Sequence, residues 1–267
     1  MGSNSCRPSI RVVFLKAASF LTIAVLLIGC KEDIETAPTG SLASYFQQTN
    51  LAIDNDLIAC AANNLNTIST GIEDSVAIFF LPWEGVAQFR YFETEHAELD
   101  PHDHNLYQEK ELSDSPVFGG HLRKFTRDAT TTNHWCIVTF ESQDTLYYSN
   151  PILLKSPDLN TEINPSLLRV DQSELLSPIF NWQDGSIDEN VIYFQVVSDA
   201  QDNLISGTYT LEPNFQFYDL SNVALNINDV TPAPVLMENE QYFFTMMAVS
   251  IDNWVNLVIR VPFETRP

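Results

Sequence analysis

Between residues 57 and 263 the chain is written in short runs of β-branched and aromatic residues, each closed by proline, glycine, asparagine or aspartate. No segment of helical period and useful length appears, and that cadence constrains the fold more than any other feature. Ser75 to Leu81 (SVAIFFL) stops at Pro82, and Pro82-Trp83-Glu84-Gly85 reads as a turn. Ala87 to Thr94 alternates, with Phe89 and Tyr91 on one face and Arg90 and Phe92 on the other. His134 to Glu141 and Thr145 to Lys155 form a hairpin around Ser142-Gln143-Asp144. Leu57 to Ala62 and Phe118 to Arg127 are further strands. Asn63 to Thr70 is polar and turn-like.

The segment Ser156 to Pro165 is polar and carries Pro157 and Pro165 near its ends, as a linker would. Beyond it, strands are expected over Ser166–Val170, Pro178–Trp182, Val191–Ser198, Leu204–Leu211, Phe215–Asp219, Val223–Asn226, Gln241–Ser250 and Val255–Phe263. In the last of these, Val255, Leu257, Ile259 and Val261 align. Seven or eight strands in about 100 residues is the size of one sandwich. The expected fold is all-β: one β-sandwich domain over 41–155, a linker over 156–165, and a second β-sandwich over 166–267.

The N-terminus has a different character. Arg7, Arg11 and Lys16 precede an uncharged, mostly apolar run, Ala17 to Ile28. At about 1.5 Å per residue that run is too short to span a ~30 Å hydrocarbon core, which is the pattern of an export signal. Leu27-Ile28-Gly29-Cys30 resembles the lipobox of bacterial lipoproteins. The resemblance implies a signal peptide over 1–29, cleavage before Cys30, and lipid (diacylglycerol and palmitate) on that cysteine. Two or three acyl chains, at about 0.8 kcal/mol per buried CH₂, would hold the chain to a membrane. The alternative is an ordinary signal peptide with an incidental cysteine.

Lys31-Glu32-Asp33 resembles the export signal of Bacteroidota-type surface lipoproteins. It implies a place on the outer face of the outer membrane, and the alternative is a charged tether. Residues 30–40 then form a short lipidated tether ending in the flexible ETAPTG.

Composition narrows the function. Hydrophobic residues at 45% suffice for real cores, and a formal charge of −22 argues against nucleic acid or an anionic membrane surface as a partner. The acids near Asp184 and Asp188 to Asn190, and Asp199, Asp202 and Asn203, do not match a calcium-loop spacing and read as hairpin turns. The densest polar cluster is Glu95, His96, Glu98, Asp100, His102, Asp103 and His104. Nothing in the sequence fixes three or four of these as metal ligands, so a solvated loop is expected and no metal is assigned.

Cys6 would leave with the signal and Cys30 would take lipid, so Cys60 and Cys136 remain in an oxidising compartment. Cys60 shares a strand face with Ile58 and Ala62, and Cys136 with Val138 and Phe140. A buried inter-sheet disulfide between them is the expectation, worth roughly 4 kcal/mol in the chain-entropy model. Two unpaired buried thiols are the alternative.

The paired strands of TFESQDTLYYSNPILLK resemble the last two strands of fibronectin type III or immunoglobulin-like domains. Trp182 and the run Tyr242 to Ala248 resemble the buried tryptophan and the penultimate strand of the same group. The resemblance implies non-catalytic recognition or spacing and names no ligand. Tyr193, Phe194, Phe215, Phe217, Tyr218 and Trp254 could form a sugar-stacking platform, or fill the core. Trp254 follows a turn out of phase with the inward set, and is the candidate exposed stacking aromatic.

No Gly-x-Ser-x-Gly, His-Glu-x-x-His, Cys-x-x-Cys or phosphate-binding glycine loop is present in the sequence. The expectation is a surface lipoprotein of the outer membrane with no enzymatic activity and no cofactor, acting in binding, adhesion or as an accessory subunit toward a glycan or protein partner. The alternatives are a glycan-binding accessory lipoprotein of a polysaccharide-uptake system and, behind it, a carboxylate-dependent enzyme.

Overall fold

The computed structural model describes residues 37–63, 75–83, 85–86, 88–228 and 230–266. The signal peptide, Cys30 and Lys31-Glu32-Asp33 lie outside the described residues, as do 64–70 of the polar stretch and Glu84 of the turn.

The first half of the chain forms α1 (Leu42–Gln48), β1 (Ala52–Leu57), β2 (Ala59–Asn63), β3 (Ser75–Phe80), β4 (Phe89–Glu93), β5 (Gln108–Lys110), β6 (Asp114–Val117), β7 (Leu122–Asp128), β8 (His134–Ser142), β9 (Thr145–Ser149) and β10 (Ile152–Leu154). The second half forms β11 (Glu162–Ile163), β12 (Leu168–Asp171), β13 (Ile179–Trp182), β14 (Asn190–Asp199), β15 (Leu204–Thr210), β16 (Asn214–Gln216), β17 (Val223–Asn226), β18 (Gln241–Ser250) and β19 (Val255–Glu264). Sheet I runs β1-β9-β8-β4-β5 with β10 also on β8, and sheet II runs β2-β3-β7-β6. Sheet III runs β11-β19-β18-β14-β15-β17, and sheet IV runs β12-β13-β16.

The two halves repeat one topology. Each opens with a strand lying parallel to a late strand, β1 beside β9 and β11 beside β19. Each then crosses to the opposite sheet, where β2 pairs antiparallel with β3 and β12 with β13. Sheets I and II enclose a core of Ile78, Phe80, Tyr91, Phe125, Val138 and Phe140. Sheets III and IV enclose Phe180, Trp182, Phe215, Phe244 and Ile259.

A third core lies between the halves. Ala77, Phe79, Val117 and Phe118 from the side of sheet II meet Phe194, Val196, Met247 and Val258 from sheet III. The molecule is therefore four sheets deep in the order I, II, III, IV. At about 1.5–3 kcal/mol for a fully buried phenylalanine, a layer holding Phe79, Phe118 and Phe194 carries the weight of a core. The sequence of β3 records it. Val76, Ile78 and Phe80 face sheet I, while Ala77 and Phe79 face sheet III, so the strand is apolar at every interior position.

The segment 156–165 joins the halves but is pinned to both. The Thr161 backbone N–H donates to Asn63 Oδ1 at 2.7 Å, and the Asn63 N–H donates back to Thr161 Oγ1 at 3.1 Å. The Thr161 hydroxyl donates in turn to the Val255 carbonyl at 2.9 Å. One 1%-exposed threonine thus ties β2, the connection and β19 together.

The expected disulfide is not formed: Cys60 and Cys136 are both free thiols. Each does point toward apolar neighbours, but toward different ones. Cys60 packs with the layer between sheets II and III, and Cys136 sits in the core between sheets I and II. Because sheet II is covered on both faces, an apolar side does not identify a single interior.

The absence of any helix is also corrected. Ser41 caps α1 by accepting the Ser44 N–H at 3.1 Å, and Leu42 packs with Phe92, Tyr107 and Ile137 on the outer face of sheet I. At seven residues the helix is too short to show a clear period. Among the described residues no helix is long and apolar enough to cross a membrane.

Most expected strands lie where placed, and β17 and β18 coincide with their expected ranges. One alignment fails. The ladder between β18 and β19 shifts at Ala248/Val249, so Val255 faces sheet II while Leu257 and Ile259 face sheet IV.

Candidate functional site

The packing between sheets II and III leaves a cleft of about 340 Å³ at one end. Its walls are the faces that elsewhere form the shared layer: Cys60 of β2, Phe79 of β3, Ile192 and Phe194 of β14, and Met247 and Val249 of β18. Tyr209 of β15 stacks on Phe194 with ring centroids 4.6 Å apart, closing one side. Ile227 lies across Gly207, where an added Cβ would come within 2.6 Å of its Cγ1, so the glycine lets this side chain reach the wall.

The mouth is polar. Asn55 and Asp56 at the end of β1, Asn150 after β9, and Asn253 in the β18–β19 turn line it, with the exposed Leu225 of β17. Asn253 donates its side-chain N–H to the Pro151 carbonyl at 2.9 Å. A cleft of several hundred Å³ with apolar walls and a few convergent polar groups has the form of a small-molecule site.

Burial pushes the Cys60 thiol up to about 12 and raises the Tyr209 phenol as well, so both are neutral near pH 7. Asp56 is then the one charged side chain among the lining residues. The arrangement can hold an apolar body and hydrogen-bond its end. With the thiol and the phenol both protonated, neither supplies a thiolate or phenolate there.

A second titratable cluster braces the first sandwich. Arg127 of β7 donates to both carboxylate oxygens of Glu93 of β4, at 2.6 and 3.2 Å, and Tyr91 donates to the same carboxylate at 2.8 Å. Burial alone would raise the Glu93 carboxyl. The hydrogen bonds and charge of Arg127 overcome that and hold it below its ordinary value. The pair crosses from sheet I to sheet II.

The residues singled out in the sequence fall elsewhere. Trp254, expected to be exposed, is 1% exposed and lies in the core of the first sandwich beside Ile78 and Phe80. Being out of phase with the sheet IV face aims it at sheet II, and that side is also covered. Tyr193, Phe194, Phe215 and Phe217 are buried too, so they form no sugar platform. Among the described residues the aromatic left open is Trp83, 53% exposed, against Tyr147 at 5.3 Å between centroids.

In the 95–104 loop, His96 pairs with Glu98 at 3.0 Å, Asp100 accepts the His102 N–H, and Asp103 accepts the Asn105 N–H. His104 packs edge-on against Phe46 and Tyr148. Among the described residues no three histidines, cysteines or acids converge as a metal site. Asp184 accepts from Asn190 and Tyr193, and Asp199 from Gln201 and Asn203, as turn chemistry requires. The cleft was missed by sequence reasoning because its residues come from eight strands and only tertiary packing assembles them. The one signal was the doubly apolar pattern of β3, β14 and β18.

No family model matches the chain, and no curated protein matches it. Among solved structures, the chicken CNTN1 FN1–FN3 domains match at a TM-score of 0.29 and 12% identity, over 82% of this chain and 69% of that one. Domains A168–A170 from titin match at 0.28 and 8% identity, over 81% of this chain. The chain spans 61% of the length of that titin fragment. The fold assignment itself rests on the sheets: this is an all-β protein of two β-sandwiches, stacked face to face.

Proposed function

We propose that this protein is a non-catalytic binding or accessory module of a bacterial surface lipoprotein, held to the outer membrane by lipid on Cys30 and directed to the cell surface by Lys31-Glu32-Asp33. The cleft between sheets II and III carries the binding half of this reading. It is a concave, largely apolar site built on two rigid sheets. The lipobox resemblance at Leu27 to Cys30 supports the address.

Expression of the intact chain and of Cys30→Ala in a Bacteroidota-type host tests it. The intact chain should take up labelled palmitate and be cleaved by protease added to whole cells. The variant should take up none and leave the membrane fraction. Full protection from protease until the outer membrane is lysed would defeat the surface placement.

A glycan-binding accessory role is the second reading, and Trp83 favours it. Its indole is 53% exposed and backed by Tyr147, as a ring that stacks on a sugar must be. On a glycan array, Trp83→Ala should lose any saccharide signal that the intact protein gives.

A further inference from the structure

We infer that the cleft takes a small amphipathic molecule, with its apolar body between sheets II and III and a cationic or neutral hydrogen-bonding head at the mouth. This rests on the reading of the cleft as the binding site.

Size sets the body. At about 30 Å³ per water-sized group, 340 Å³ holds roughly ten non-hydrogen atoms. The walls set its chemistry. Phe79, Ile192, Phe194 and Val249 present no side-chain polar atom, and the Cys60 thiol beside them is protonated. Apart from the Tyr209 hydroxyl and the Cys60 thiol, a polar group carried to that depth would find no polar side chain among these walls to replace its hydration.

The mouth sets the head. The side chains of Asn55, Asp56 and Asn150 make no hydrogen bond or ion pair among the described residues, and all three residues are exposed. The amides both donate and accept, whereas an ionised carboxylate only accepts. A head with N–H or O–H groups satisfies all three. An anionic head would face Asp56 and the field of a chain with formal charge −22. Charge therefore ranks ligands of one shape as cation, then neutral, then anion.

Three ligands of matched length test this by calorimetry on the purified protein at pH 7 and low salt: n-octylamine, n-octanol and n-octanoate. The amine should bind about threefold tighter than the alcohol and about tenfold tighter than the carboxylate, the scale of one exposed ion pair and its reversal. Each should slow maleimide modification of Cys60 in proportion to occupancy. Asp56→Asn should remove the preference for the amine, bringing amine, alcohol and carboxylate to within about twofold of one another. Leu225→Trp, at the exposed mouth, should weaken all three with the far-ultraviolet circular dichroism unaltered.

Equal affinities that Asp56→Asn does not move overturn the head-group assignment and leave the cleft as a binding site. No saturable binding of any of the three, with Cys60 labelled at an unchanged rate, overturns the cleft itself and the reading it rests on.

Discussion

The Ala61 backbone N–H donates to the Asn253 carbonyl at 3.0 Å, and the next residue, Trp254, buries its indole in the core of the first sandwich. A turn between the last two strands of the chain thus completes the interior of its first half. Lys155 Nζ lies 6.0 Å from the same ring and pairs with Asp252 at 3.0 Å. The two sandwiches consequently share an interior and are expected to unfold together. Trp254→Ala should cost about 3–5 kcal/mol. Denaturant unfolding followed by tryptophan fluorescence and by far-ultraviolet circular dichroism should give coincident single transitions, in the variant as in the parent. Two resolved transitions would show that the halves unfold independently.

The thiols should be free in the oxidised protein. Alkylation in denaturant, with and without reductant, should add the same mass, corresponding to both Cys60 and Cys136. Under native conditions near pH 7, Cys60 should label slowly through the cleft, and Cys136, 0% exposed, should not label. The Cys60 pKa is raised in the folded state from 9.0 to about 12. Its ionisation leaves stability untouched below pH 9, and stability falls as pH climbs from about 9 toward about 12. Cys60→Ser should reduce that alkaline loss.

Glu93 gives the opposite sign at acid pH. Its folded-state pKa lies below the ordinary 4.5, so the stability it contributes is present above that value and is lost as pH falls through the folded pKa. Glu93→Gln should flatten the acid limb of a melting-temperature profile. It should also lower stability at pH 7 by about 3 kcal/mol, because the partly buried Arg127 loses its carboxylate. A variant that melts like the parent at pH 7 would show the brace to be dispensable.

Gln195 is 1% exposed on β14, and neither atom of its amide has a hydrogen-bond partner among the described residues. Leaving a buried amide unpaired costs about 1–3 kcal/mol. Gln195→Met, nearly equal in volume and without polar hydrogens, should raise stability by about 1 kcal/mol in denaturant titration. A loss of stability would mean that the amide is satisfied in solution.

Strand-level structure was largely legible in the sequence. The alternation of Phe89, Tyr91 and Phe92 places two rings in the core and one under α1, as the pattern indicates. Tyr242, Phe244, Met246 and Ala248 share the face toward sheet IV as expected. Trp254 and the Cys60–Cys136 pair were misplaced for one common reason. Period two says which residues lie on the same side of a strand but not which layer covers that side. The cleft was illegible for the same reason, since its walls belong to faces whose partner lies a hundred residues away in the chain.

Most β-strands and their turns can be read along the chain, because alternation and turn chemistry act over a few residues. That the sandwiches stack through Phe79, Phe194 and Met247, and leave a cleft beside them, emerges only from the packing of the whole molecule. Burial of a second sheet face is a choice of partner, and apolar surface carries no direction of its own.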